Sequence, residues 1–168
     1  MRYWFDTEFI EDGRTIDLMS IGIVSEDGRE FYAESNECDL SRASPWVKAN
    51  VIPHLQHSYQ GSIHMSRKGI ADAVVKFVGT DKPQLWAYYA DYDWVALSQL
   101  FGTMMDLPKG WPMYCRDVKQ VCDMLGNPKL PEEGKGEHHA LADAKWTKQA
   151  WHFLFAEWES QHNESPRL

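Results

Sequence analysis

Two carboxylates, Asp6 and Glu8, stand inside the aromatic-rich stretch RYWFDTEF (residues 2–9), and this pair constrains the chain more than any other feature. The aromatic content predicts a strand over Arg2 to Phe9. Side chains two apart in a strand share a face, so Asp6 and Glu8 project together while Tyr3, Phe5 and Phe9 serve the other face. Two like charges side by side in an apolar strand cost stability unless something positive lies between them. A divalent cation is the simplest remedy, and carboxylate oxygens suit Mg²⁺ or Mn²⁺. Taken alone, the pair also fits one solvated carboxylate and one that caps a neighbouring loop.

The strand pattern continues. Ile16 to Ser25 (IDLMSIGIVS) is dense in branched residues, and Arg29 to Ser35 alternates after the turn Glu26-Asp27-Gly28, which predicts a three-stranded antiparallel meander. Residues 36–65 carry Pro45, Pro53 and scattered histidines and read as a variable connection with a short helix beginning near Ser44-Pro45. Ser66 has the place of an N-cap for a helix through Phe77, which Gly79 stops. Pro83 to Tyr89 reads as a fourth strand, Trp94 to Met104 as a helix, and Trp111 to Cys115 as a short fifth strand. Asp117 caps a helix over Val118 to Leu125, residues 127–137 (NPKLPEEGKGE) are loop, and a last helix runs from about Ala140 to Glu159 before a frayed tail over 160–168. The expectation is one α/β domain over residues 1–168, with a mixed five-stranded sheet, antiparallel and then parallel, flanked by helices.

Two more carboxylate segments fall where this architecture gathers ligands. In AYYADYDW (residues 87–94) a strand runs into a helix, and Asp91 and Asp93 compete for a place at the strand end, with a helix-capping role favoured for Asp91. In EHHALADA (residues 137–144) a loop meets a helix, and Asp143 sits one turn inside it beside Ala140, Ala142 and Ala144, which allow a close approach to the sheet. His138, five residues earlier, is an imidazole able to move a proton near neutral pH, although a single histidine is more often structural.

Taken in order, WFDTEF, AYYADYDWVAL and HHALADA resemble the three exonuclease motifs of the DEDDh family in the RNase H-like superfamily, whose relatives include RNase T, oligoribonuclease and the proofreading subunit of DNA polymerase III. The resemblance spans residues 6 to 143 and looks most like small single-domain 3′-to-5′ exoribonucleases of bacteria and phages. It implies an RNase H-like fold and assigns the first motif to Asp6 and Glu8, the second to Asp93 rather than Asp91, and the third to His138 and Asp143. His139 is one place too close, and the tyrosine of the sister family is absent there. Tyr88-Tyr89 replaces the usual His-Asn or Gly-Asn pair.

By the same resemblance, Asp6, Glu8, Asp93 and Asp143 hold two Mg²⁺ or Mn²⁺ ions with Asp6 bridging, and His138 acts as general base on the attacking water. The implied reaction releases nucleoside 5′-monophosphates from the 3′ end of single-stranded RNA. Phe9 and Ile10 fall where the family contacts the terminal base, and one of them is expected to stack or wedge there, with core packing as the alternative for Phe9. Gly134 and Gly136 around Lys135 imply a His138 loop that closes on substrate. Homodimers occur in RNase T and oligoribonuclease, and the resemblance extends that expectation here.

The charge balance sharpens this picture. Seventeen Lys and Arg against 25 Asp and Glu leave a net charge of −8, which argues against a broad basic nucleic-acid face. Part of that acidity is the proposed metal site, and short or weakly held substrates anchored at the 3′ end are expected. Arg67, Lys68, Lys145 and Lys148 are the candidates for phosphate contacts. His54, His57 and His64 read as solvated loop histidines rather than zinc ligands, and the eight Trp as mostly core. No apolar run has the length of a membrane span, the opening MRYWFDTEF lacks a secretory pattern, and three cysteines without a CxxC pair suit a reducing cytoplasm. The rival readings are a DNA exonuclease, an inactive nucleic-acid-binding module of the same fold, and an acidic structural domain.

Overall fold

The computed structural model describes residues 1–55, 63–134 and 138–162. The meander forms as β1 (Arg2–Glu11), β2 (Ile16–Ser25) and β3 (Glu30–Ser35), each antiparallel to the next. A short helix α1 (Pro45–Asn50) follows, with the Ser44 side chain accepting from the Val47 N–H. The chain then contributes β4 (His64–Met65), α2 (Arg67–Val78), β5 (Gln84–Ala87), α3 (Ala90–Gln99), β6 (Arg116–Asp117), α4 (Val118–Met124) and α5 (Ala140–His162). The sheet has six strands in the order β4-β3-β2-β1-β5-β6, with β3/β4, β1/β5 and β5/β6 parallel.

This is the mixed α/β sheet expected, with one strand more than five. The added strand, β4, is two residues long and pairs only at Glu34–His64 and Ser35–Met65, too short for any periodic signal. The expected strand at 111–115 is not formed; Trp111 packs edge-on against Phe101, and pairing with β5 begins only at Arg116. Ser66 and Asp117 cap α2 and α4 as expected, accepting from the Gly69 and Lys119 N–H groups. The helix expected from Trp94 begins instead at Ala90, because Tyr89 takes a left-handed conformation (φ 55°) that turns the chain directly from strand to helix. Asp117 supports that turn by accepting the Tyr89 N–H at 3.1 Å. Asp91 is therefore not a cap; it lies in the first turn, where a negative charge suits the helix dipole.

Alternation along β1 sends its side chains to two cores. Tyr3 and Phe5 join Ile21, Ile23, Ile70, Val74 and Leu97 beneath α2 and α3. Trp4 joins Trp86, Val118, Trp151 and Leu154 beneath α4 and α5. Full burial of side chains this size contributes about 1.5–3 kcal/mol each, so β1 is clamped from both sides. No helix among the described residues is long and apolar enough to cross a membrane. Residues 163–168, most of the expected frayed tail, lie outside the described residues, and α5 runs on to His162.

Candidate active site

Asp6 and Glu8 lie on the α5 side of β1, and α5 brings Asp143 to them. One carboxylate oxygen from each of the three lies within 4.8 Å of the others. The approach of α5 depends on a glycine. Gly22 sits opposite Asp6 in the β1–β2 register, and a Cβ there would lie 2.3 Å from the Leu141 nitrogen and 2.4 Å from the Ala140 carbonyl. Ala140 and Ala144 are fully buried at the same contact. The small residues of α5 thus do what their spacing suggested, and the matching gap in the sheet is Gly22.

Asp93 reaches the same strand from the other side. The β1–β5 pairing covers only Arg2–Trp4 with Gln84–Trp86, so β1 beyond Trp4 has no strand on that edge. Asp93 caps it, accepting the Thr7 N–H at 2.9 Å and the Thr7 hydroxyl at 2.5 Å. It is 5% exposed. The structure therefore brings Asp6, Glu8 and Asp143 into one group and sets Asp93 beside it through Thr7.

The electrostatics are those of a dense acidic centre. Burial, then the charges of Asp93, Glu8, Asp143 and Glu133, push the Asp6 carboxyl far above its ordinary range. Burial, with Asp143 and Asp93, pushes Glu8 up to about 8. Asp93 is raised by burial and held back by its two Thr7 hydrogen bonds. Hard oxygen donors that repel one another this strongly suit a divalent cation.

His138, two residues before the last helix, takes a left-handed conformation (φ 67°), and its N–H donates to Asp143 Oδ2 at 3.0 Å. Its ring meets the edge of Trp46 at 5.1 Å between centroids. His139 points elsewhere and stacks on Tyr32 at 4.5 Å. Of the two residues expected to touch a base, Ile10 is 2% exposed and packs with Met19, Ala43 and Val51, so it has no surface to offer. A bulge between Glu8 and Phe9 separates them, and Phe9 stacks on the exposed ring of Tyr92 (5.8 Å, 10°).

Two exposed rings stand beside these residues, Trp46 against His138 and Tyr92 against Phe9, and neither contact is legible in the sequence. Trp46, 56% exposed, departs from the expectation of core tryptophans, and only its position on a short proline-started helix distinguished it. His64 is not a solvated loop histidine either, since its Nε2 lies 3.5 Å from buried Glu34. His57 and the loop residues Lys135 and Gly136, expected to make the His138 loop mobile, lie outside the described residues.

A carboxylate group on the central strand of a mixed sheet, completed by a helix that returns to that strand, is the arrangement of a nuclease fold. Among solved structures the chain is similar to the zinc-bound complex of E. coli exonuclease I with single-stranded DNA, with a TM-score of 0.65 and 12% identity over 96% of this chain and 41% of that one. A second exonuclease I structure gives a TM-score of 0.59 at 12% identity, over 92% of this chain and 43% of that one. The chain thus spans about two-fifths of those proteins, and the likeness is one of fold. The family model for the 3′-5′ exoribonuclease Rv2179c-like domain matches residues 1–155, and the chain belongs to that family. It is a 3′-5′ exonuclease. Two Mycobacterium tuberculosis relatives, the 3′-5′ exoribonucleases Rv2179c and MT2234.1 from strains H37Rv and CDC 1551, are each 45% identical over 148 residues, which is 86% of this chain and 88% of theirs.

Proposed function

We propose that the chain hydrolyses single-stranded RNA one nucleotide at a time from the 3′ end, in a DEDDh centre that needs divalent cations. The observation that carries this reading is the convergence of Asp6, Glu8 and Asp143 within 4.8 Å in a member of an exoribonuclease family. The names of the M. tuberculosis relatives favour RNA over DNA. Kinship with RNase T and oligoribonuclease belongs to the same proposal, as does the reading of residues 1–168 as one catalytic unit.

Asp6, Glu8 and Asp143, with Asp93 beside them, would hold two Mg²⁺ or Mn²⁺ ions. Bound there, the ions supply positive charge to the attacking and leaving oxygens of an in-line displacement at phosphorus. His138 takes a proton from the attacking water, the 3′ oxygen stays with the shortened strand, and the terminal residue leaves as a nucleoside 5′-monophosphate. The hydrogen bond from the His138 N–H ties the base to a ligand, so the two move as one unit. Left-handed backbone at a residue that is not glycine costs about 1–3 kcal/mol and persists only where its surroundings demand it. Phe9, Tyr92 and Trp46 offer ring faces on which a base can stack without regard to its identity.

The test uses matched 5′-labelled RNA and DNA oligomers with Mn²⁺. A ladder shrinking by single nucleotides from the 3′ end of RNA, lost with chelator and with Asp6→Asn, is the expected result. Faster DNA degradation would transfer the assignment to a DNA exonuclease, and activity that survives in Asp6→Asn would remove the metal centre from the account.

A further inference from the structure

The turn between β1 and β2, the N-terminus of α2 and the end of α3 enclose a cleft of about 420 Å³, whose polar lining includes Arg14, Thr15, Asp17, Arg42, Arg67 and Gln99. Its acids are already matched. Asp17, 8% exposed, is ion-paired with Arg67 and lies 3.7 Å from Arg42, which also pairs with Asp12. The Thr15 N–H and hydroxyl are spent on Asp12 as well.

What is left over is hydrogen-bond donors. Arg14 is exposed and its guanidinium has no carboxylate partner among the described residues, while the Arg67 Nε is buried without an acceptor. Besides Asp12 and Asp17, the Glu37 carboxylate lies at the cleft and accepts the Arg67 backbone N–H at 2.8 Å, so the cleft offers spare guanidinium donors rather than net positive charge. Of the basic residues marked in the sequence for phosphate contact, Lys68 pairs with Asp72, Lys145 with Glu30, and Lys148 donates to the Ser25 carbonyl, whereas Arg67 lines this cleft.

One wall of the cleft is built on the strand pair that carries the carboxylate centre. Asp17 faces Ile10 across the β1–β2 pair, two residues beyond Glu8, which at strand spacing is on the order of 10 Å. Guanidinium forks match phosphate oxygens, and an orphaned buried donor is costly until something accepts from it.

We propose that the Arg14–Arg67 cleft holds a backbone phosphate of the RNA strand upstream of its 3′ end, as an anchor that only strands longer than a few nucleotides can use. The proposal rests on the RNA-hydrolysis reading above. It is tested by steady-state kinetics of the full chain with Mn²⁺ on a dinucleotide and on a decanucleotide, for wild type, Arg14→Ala and Gln99→Ala. Arg14 is on an exposed turn without an ion pair, and Gln99 is an exposed surface residue, so neither change threatens the fold.

Arg14→Ala is expected to raise KM for the decanucleotide about five- to tenfold more than for the dinucleotide, with kcat unchanged, and Gln99→Ala to act in the same direction more weakly. The salt slope of decanucleotide binding should fall by about 0.7. Equal effects at both lengths, or an unchanged slope, overturn the proposal. So does binding of inorganic phosphate to the cleft without any length dependence, which would make it a site for free anions. Wild-type protein that leaves both RNAs intact overturns the RNA reading as well, a result distinct from the others.

Discussion

Two groups of carboxylates lie within a few residues of each other on β1 and β2, and the chain treats them in opposite ways. Asp17 is buried among arginines that it and Asp12 largely neutralise. Asp6 and Glu8 are surrounded by other acids, and the charges that bear most on them are those of Asp93, Asp143 and Glu133. Burying one unpaired charge costs several kcal/mol, and burying a group of like charges costs more. The first group is therefore balanced as folded, and the second, in the function proposed above, is completed by divalent cations.

Asp6→Asn should lower RNA hydrolysis by about a thousandfold or more, with circular dichroism unchanged, whereas Asp17→Asn should lower it less than tenfold. Comparable losses in the two variants would erase the distinction. Gly22→Ala comes next. Its Cβ meets the backbone of Ala140 and Leu141, and the overpacking should cost about 2–3 kcal/mol in denaturant unfolding. Because α5 carries Asp143, to which His138 is hydrogen-bonded, activity should fall further than the lost stability accounts for; wild-type activity and stability would show that the contact does not set the site.

The third difference is in pH dependence. Burial and neighbouring acids raise the Glu8 pKa from 4.5 to about 8, and move Asp6 in the same direction. Over that interval the native state binds more protons at these groups than the unfolded one, so their contribution to stability is greatest below about pH 4.5 and is lost as pH rises through 8. In chelator, the melting temperature should drop by roughly 5 °C or more between pH 5 and pH 8, and Glu8→Gln should flatten the curve. Saturating Mn²⁺ should abolish the drop in wild type. A melting temperature that climbs with pH in chelator would contradict the raised pKa values.

The smallest effect is on the compensated side. Arg67→Ala leaves Asp17 with Arg42 alone, and because both arginines are partly exposed the loss should be about 1–2 kcal/mol in chemical denaturation. A cost of 4 kcal/mol or more would mean that Asp17 depends on a single partner.

Much of this was legible in the sequence because it rests on local rules. The Asp6 and Glu8 pair followed from strand alternation, Ser66 and Asp117 were readable as caps and Ser44-Pro45 as a helix start, and the alanines of α5 signalled close packing. What escaped depends on tertiary context. Tyr89 replaces a polar cap with left-handed backbone that Asp117 supports from 28 residues away. Gly22 reads as an ordinary strand residue until α5 is laid across it. Ile10, expected at the terminal base, is covered by the connection that carries Ala43 and Val51. Trp46 gave no periodic signal, because α1 is only six residues long. The engagement of Asp93 with Thr7 required knowing that β5 stops short of that edge of β1.

Calorimetric titration of metal-stripped protein with Mn²⁺ tests most directly whether divalent cations complete the acidic group on β1 and α5. Two ions bound per chain are expected for the wild type, with at least one lost in Asp6→Asn and both retained in Asp17→Asn. Equal binding by wild type and Asp6→Asn, or no binding by the wild type at millimolar Mn²⁺, would contradict such a centre.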